Sequence, residues 1–190
     1  MARVWATDIT QEMLDQVKVE AARRGLGNLR VAFAKAEALP FDDESFDLVT
    51  CRIAPHHFDS IPQFLAEVHR VLKPGALAGI VDNIVPAGPV GDYINAFERL
   101  RDPSHLRAWS MGEWRAAFAA AKLLIGHEEE IDKAMDFKTW TARCDAVMTA
   151  LLRSMLTQAA PEAKAALEPA GDGDAMTFRL REGLFVAKRG

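Results

Sequence analysis

A short apolar run closed by an acid, Val4-Trp5-Ala6-Thr7-Asp8, constrains the fold of this chain more than any other feature, because it opens a succession of strand, helix and strand. Met13, Leu14, Val17 and Ala21 recur at helical spacing behind Thr10, which is placed to cap a helix, and Gly25 ends the stretch. Asn28 to Phe33 then alternates apolar and polar residues, the pattern of a strand. A buried strand, a helix and a second parallel strand make a crossover unit, and nothing precedes it. In open α/β sheets ligands lie at the carboxyl ends of the strands, where an acid such as Asp8 can take the hydroxyls of a ribose.

The alternation continues. Phe46 to Ile53 reads as the next strand. Ser60-Ile61-Pro62-Gln63 matches a capping box, and Phe64, Leu65, Val68, Val71 and Leu72 form an apolar stripe that ends at Lys73-Pro74-Gly75. Ala76 to Asp82 is a small and apolar run of the kind buried on both faces of a parallel sheet. Residues 86–109 carry three prolines and two glycines around a helical stretch at Tyr93, Phe97 and Leu100, which reads as an insertion or lid. Ser110 and Glu113 form a second capping box. Leu123 to Glu130 reads as an edge strand. Residues 137–168 form a helical segment in which Phe137 to Met155 keep helical spacing, and Met176 to Lys188 is a closing strand pair or one strand bent at Gly183. The order of elements implies a single α/β domain over residues 1–190.

Composition narrows the classes of function. With 190 residues, 49% apolar, 26% charged and a net charge of −4, the chain has the make-up of an ordinary soluble domain with room for a core. No basic run suggests nucleic acid as a partner. Cys51 and Cys144 form no metal-type or redox-type pair, which fits a reduced, cytoplasmic setting. No stretch is long and apolar enough to span a membrane. The five histidines show no i, i+4 pairing with another ligand, so no metal site is expected.

Several motifs stand in register: Asp8-Ile9-Thr10-Gln11-Glu12-Met13-Leu14, Ala36-Glu37-Ala38-Leu39-Pro40-Phe41, Ser45-Phe46-Asp47-Leu48-Val49, His56-His57-Phe58 and Val71-Leu72-Lys73-Pro74-Gly75. In this order and spacing the chain resembles the class I S-adenosylmethionine-dependent methyltransferases, most closely the small-molecule branch with the ubiquinone and menaquinone C-methyltransferases. The resemblance implies a Rossmann-like sheet with helices on both faces, S-adenosyl-L-methionine as cofactor and a small-molecule methyl acceptor. It implies that Asp8 accepts from the ribose hydroxyls through both carboxylate oxygens, that Ile9 and Met13 pack on adenine, and that Ala36 and Glu37 border its edge. Arg52 and Ile53 would end a strand beneath the cofactor, and His57 would lie near the transferred methyl as the catalytic candidate.

Two departures qualify the resemblance. Lys35 stands where the family carries an acid for the adenine amine. The family's first strand, its Gly-rich loop and the helix after it have no counterpart, and that strand is central, between the strand ending at Asp8 and the strand at Phe46. Two half-sheets with unpaired inner edges are therefore expected. A fragment of a longer enzyme is the favoured explanation. The others are a homodimer joined through those edges and a fold unlike the family's.

Bland readings compete with these. Asp8 can be an acid at a helix N-terminus, His56 and His57 can be solvent-facing, and the Phe137 to Met155 stripe can be core rather than a pocket wall. Tyr93, Phe97, Arg101, His105 and Trp109 are the better candidates for substrate contact. A non-catalytic scaffold or oligomerising module is the runner-up. An NAD-linked dehydrogenase would share Asp8 but not the Leu39-Pro40-Phe41 and Lys73-Pro74-Gly75 motifs.

Overall fold

The computed structural model describes residues 3–190. Its strands fall into two sheets. β1 (Val4–Asp8) and β2 (Leu29–Phe33) pair in parallel, joined by α1 (Gln11–Arg23). β3 (Phe46–Arg52), β4 (Leu72–Ile84), β5 (Leu123–Asp136) and β6 (Thr177–Arg189) form the second sheet in the order β3-β4-β6-β5, with β3 and β4 parallel and β6 antiparallel to both neighbours. Among the described residues no strand pairs with the second edge of β1 or of β3, the two half-sheets that the sequence leads one to expect. β1 is not the buried strand its apolar run suggests: Val4 and Trp5 are exposed, because a two-stranded sheet carrying α1 cannot cover both of its faces.

The half-sheets are tied at both ends. The Phe41 ring lies 5.4 Å from Trp5 of β1 and 4.8 Å from Phe46 of β3, an aromatic bridge at the amino ends of the strands. At the carboxyl ends, Glu37 Oε1 accepts from the Ser60 backbone N–H at 3.2 Å and Lys35 reaches Asp59 at 3.1 Å. β1 and β3 therefore run in the same direction. Between the two ties, α2 (Ile61–Val71) holds the connecting loop: Arg70 donates to the carbonyls of Leu39 and Phe41 and to the carboxylates of Asp43 and Glu67.

Ser60 caps α2 by accepting from the Gln63 N–H, but the reciprocal bond to its own N–H comes from Glu37 rather than Gln63. The second box, Ser110 with Glu113, is complete and opens α4 (Met111–Ala120). Thr10 does not cap α1; its hydroxyl is turned to Asp8. Lys73-Pro74-Gly75 does more than end a helix. The ladder jumps from Phe46–Leu72 to Leu48–Leu77, so these residues bulge out of β4, with Gly75 at φ 78° where a Cβ would be strained.

The insertion contains a full helix, α3 (Pro89–Arg101). The continuous helix expected from Phe137 to Met155 is two, α5 (Phe137–Trp140) and α6 (Ala146–Gln158), because Asp145 accepts from the Met148 N–H and starts a new helix. α7 (Pro161–Leu167) comes next. β6 is one strand, and Gly183 marks close packing rather than a bend: a Cβ there would stand 2.8 Å from Ile84, 2.9 Å from Phe185 and 3.1 Å from Met111.

The core lies on both faces of the four-stranded sheet. Phe185 and Ala187 of β6 pack with Phe64, Leu65 and Val68 of α2 and Trp114 and Phe118 of α4. Phe178 and Leu180, of opposite parity in the strand, face Phe97 of α3, Trp140 of α5 and Leu152 and Leu156 of α6. Phe137, Trp140 and Leu152 of the Phe137 to Met155 stripe are thus core, whereas Val147 and Leu151 of the same stripe are exposed, and the stacking of Phe97 on Trp140 at 4.7 Å shows where its aromatic surface goes.

Candidate functional site

Asp8 ends β1, and its Oδ1 accepts from the backbone N–H and the hydroxyl of Thr10 at 2.8 and 2.7 Å. Two donors fill the lone pairs of that oxygen, so Oδ2 is the acceptor left to an incoming diol. The expected use of both oxygens would have to displace the Thr10 hydroxyl. Ile9 and Met13, on the turn and first helical residues beside it, are 50% and 47% exposed. An apolar pair held open next to a half-buried carboxylate suits a flat heterocycle attached to a sugar.

After β2 the chain makes a tight turn, Ala38 N–H to Lys35 carbonyl, that presents Ala36 and Glu37. Glu37 Oε1 is engaged with the Ser60 N–H, so the backbone of this turn and Glu37 Oε2 remain to meet a base edge. Lys35, paired with Asp59, helps to fasten the same side.

Arg52 is exposed at the carboxyl end of β3. Ile53, the next residue, has φ 50°, a conformation costly for a β-branched residue, held by its N–H donating to the Val81 carbonyl at 2.8 Å. Such strain, roughly 1–3 kcal/mol, gathers at functional sites. The chain then enters a 3-10 turn, Pro55–His57.

The histidines of that turn are built differently. His56 is buried, with Nδ1 2.6 Å from Asp82 Oδ1 near the end of β4. Burial disfavours its cation, but the hydrogen bond and charge of Asp82 outweigh that and hold its pKa above the ordinary value. His57 is half-buried, its ring 4.1 Å from that of His56, and its Nδ1 lies 2.9 Å from the Ser104 carbonyl. A carbonyl only accepts, so Nδ1 of His57 carries a hydrogen, and Nε2 is the nitrogen that holds the lone pair of the neutral ring.

Residues 102–107 close over the turn, with the Leu106 and Arg107 N–H groups both donating to the His56 carbonyl. Most residues of the insertion expected to contact substrate have partners within the fold. Phe97 is fully buried, the Tyr93 hydroxyl donates to the Met155 carbonyl, Arg101 donates to the Trp140 carbonyl and lies over its ring, and Trp109 packs on Trp114. His105 is buried, with its ring 5.2 Å from His56 and its Nε2 2.9 Å from Asn95 Oδ1. Sequence reasoning missed Asp82, Asn83, Asn95 and Glu98, which converge behind His56. The signal available was four polar residues, two on the core side of α3 and two at the end of an otherwise apolar strand.

Two concavities lie elsewhere, one of about 320 Å³ beside Ile84, Met111 and Arg181, the other of about 470 Å³ between α1 and β2. Neither is lined by Asp8, Ile53 or His57, so the site is defined by strand ends and side-chain chemistry rather than by cavity shape. No cluster of metal-binding side chains occurs among the described residues, and no helix there is long and apolar enough to cross a membrane.

Comparison with known proteins defines the class. The family model described as "Methyltransferase domain" matches residues 1–80. The chain is 39% identical over 137 residues to the uncharacterized methyltransferase YcgJ of Bacillus subtilis, covering 72% of this chain and 54% of YcgJ. It is 36% identical over 144 residues to the uncharacterized protein YafE of Escherichia coli, covering 75% of this chain and 70% of YafE. The solved structure of YcgJ superposes with a TM-score of 0.93 and 32% identity over 98% of this chain and 82% of that one. A demethylmenaquinone methyltransferase of Chlorobaculum parvum is 36% identical over 89 residues, 47% of this chain and 35% of that protein. The chain belongs to the class I S-adenosylmethionine-dependent methyltransferase family, and it spans about half the length of YcgJ in the sequence match.

Proposed function

We propose that this chain carries the nucleoside-binding and acceptor-side parts of an enzyme that methylates a small molecule. The observation that carries the reading is that Asp8, with Oδ2 unengaged, and exposed Ile9 and Met13 stand at the carboxyl end of β1, while strained Ile53 follows the carboxyl end of β3 in the other half-sheet. Asp8 would hold the ribose and Ile9 and Met13 the adenine face, with the Ala36-Glu37 backbone at its edge and Arg52 and Ile53 beneath. When bound, S-adenosylmethionine supplies a methyl group on a sulfonium. The chain's own task is to align the acceptor, exclude water and, through His57 Nε2, take a proton where the acceptor must lose one.

The unpaired edges of β1 and β3 bear on how completely these residues can work. We propose that the amino-acid end of the cofactor is held only when a further strand fills those edges, and that the residues present bind the cofactor weakly or not at all without it. The same edges favour a second reading, a catalytically inactive or oligomerising scaffold in which another copy supplies the pairing. Calorimetric titration with S-adenosylhomocysteine, beside Asp8→Ala, tests the first reading. Binding that the substitution abolishes supports a working nucleoside site; no binding, with a dimer in solution, turns the reading to the scaffold.

A further inference from the structure

A polar cluster behind the paired histidines has no part in holding a nucleoside. Glu98 of α3 is buried, and its Oε1 accepts from Asn83 Nδ2 at 3.2 Å. Its Oε2 meets no donor among the described residues, and neither does Asn83 Oδ1. On the far side, His105 Nε2 faces Asn95 Oδ1, an oxygen that only accepts, so the hydrogen sits on Nε2 and Nδ1 keeps a lone pair 4.0 Å from Glu98 Oε2. Glu98 Oε2, Asn83 Oδ1 and His105 Nδ1 are therefore three acceptors of one buried cluster to which no donor is supplied among the described residues. An ionised Glu98 would leave a buried charge held by one amide, which is expensive. A proton on Oε2 removes that buried charge.

We infer that Glu98 is held as a neutral carboxylic acid and is the positioning residue that sets how firmly His56 keeps the proton it shares with Asp82. The role rests on the reading that the His56-His57 turn faces the methyl acceptor. The groups around Glu98 agree with it. His56 from the turn, Arg101 from its own helix and Lys133 from β5 favour its ionisation, while Asp82 from β4 opposes it, and Lys133 is already paired with Glu182 of β6 at 2.6 Å. Burial outweighs the cations and pushes Glu98 up to about 7. In turn the Glu98 charge helps to raise His56. As Glu98 ionises near neutrality, its new charge tightens the hold of His56 on its proton, so the imidazolium beside His57 persists to higher pH.

The test uses the intact chain with glutamate carboxyl carbons labelled with ¹³C and histidine with ¹⁵N, in the parent and in Glu98→Gln. We expect an infrared band of a protonated glutamate at about pH 6 that fades through neutrality and is absent from the variant, with the His56 midpoint lower by about half a unit in the variant. A parent without that band at about pH 6, or a His56 titration unmoved by Glu98→Gln, overturns the inference. Should the variant fail to fold, the midpoint of the band in the parent decides: near neutrality sustains the inference, and the ordinary glutamate range overturns it. Cofactor affinity does not enter, so a failed cofactor titration and a failed proton assignment are separate results.

Discussion

Asp82 and His56 meet 2.6 Å apart with both side chains buried, a charged hydrogen bond formed between the end of a strand and a turn 26 residues before it. Removing one partner of a buried pair costs more than the pair contributes, because the other is left uncompensated. Asp82→Asn should therefore lower unfolding stability by about 3 kcal/mol and shift the His56 midpoint down. Chemical denaturation and ¹⁵N-histidine titration measure the two effects. A drop in stability with His56 unmoved would show that Asp82 acts in packing alone.

Phe41 couples the half-sheets through Trp5 and Phe46. Aromatic pairs contribute roughly 0.5–1.5 kcal/mol each beyond their buried area. Phe41→Ala should loosen β1 and β2 by about 2 kcal/mol while β4 and β6 keep their protection. Amide hydrogen exchange reads this strand by strand, and equal loss in both sheets would contradict it.

Arg70 gathers the loop between β2 and β3 through two carbonyls and two carboxylates. Its side chain is partly exposed, which tempers the ion pairs, but the carbonyl bonds are geometric. Arg70→Met, which keeps most of the stem, should cost about 2 kcal/mol and make the loop a preferred site for proteolysis. Limited digestion that spares residues 35–45 in the variant would count against that role.

The dependence of stability on pH combines opposite contributions. Glu98 rises from 4.5 to about 7 on folding through burial, so its contribution is full below the unfolded value and is lost as pH climbs toward 7. His105 falls from 6.5 to about 4, through burial first and then the neighbouring histidines, so its contribution is full above the unfolded value and is lost as pH drops. The two slopes oppose each other between the two unfolded values. Glu98→Gln removes the first, and relative to the parent it should gain stability on the order of 3 kcal/mol by about pH 8 with no gain at about pH 4. Urea unfolding at these two pH values checks this; a gain of equal size at both would show that Glu98 does not titrate as assigned.

Local rules made much of this protein legible from its residues. The crossover of β1, α1 and β2 comes from hydrophobic period and the Gly25 stop, and the capping box at Ser110 was complete as written because both of its partners lie within one turn. The sequence also carried the family motifs around Asp8 and His57, since these sit on contiguous stretches. What it could not carry were contacts whose partners lie far along the chain. Glu37 rather than Gln63 completes the Ser60 cap from 23 residues away, and Asp145 splits a helix whose apolar spacing runs on through the break. Glu98 reads as an ordinary surface acid on a helix, and only the packing of α3 against the end of β4 buries it beside Asn83 and His105. Backbone preference and hydrophobic period act over a few residues and so are written locally; burial, and with it the energy of every polar group in the cluster, is decided by which distant segments the fold brings together.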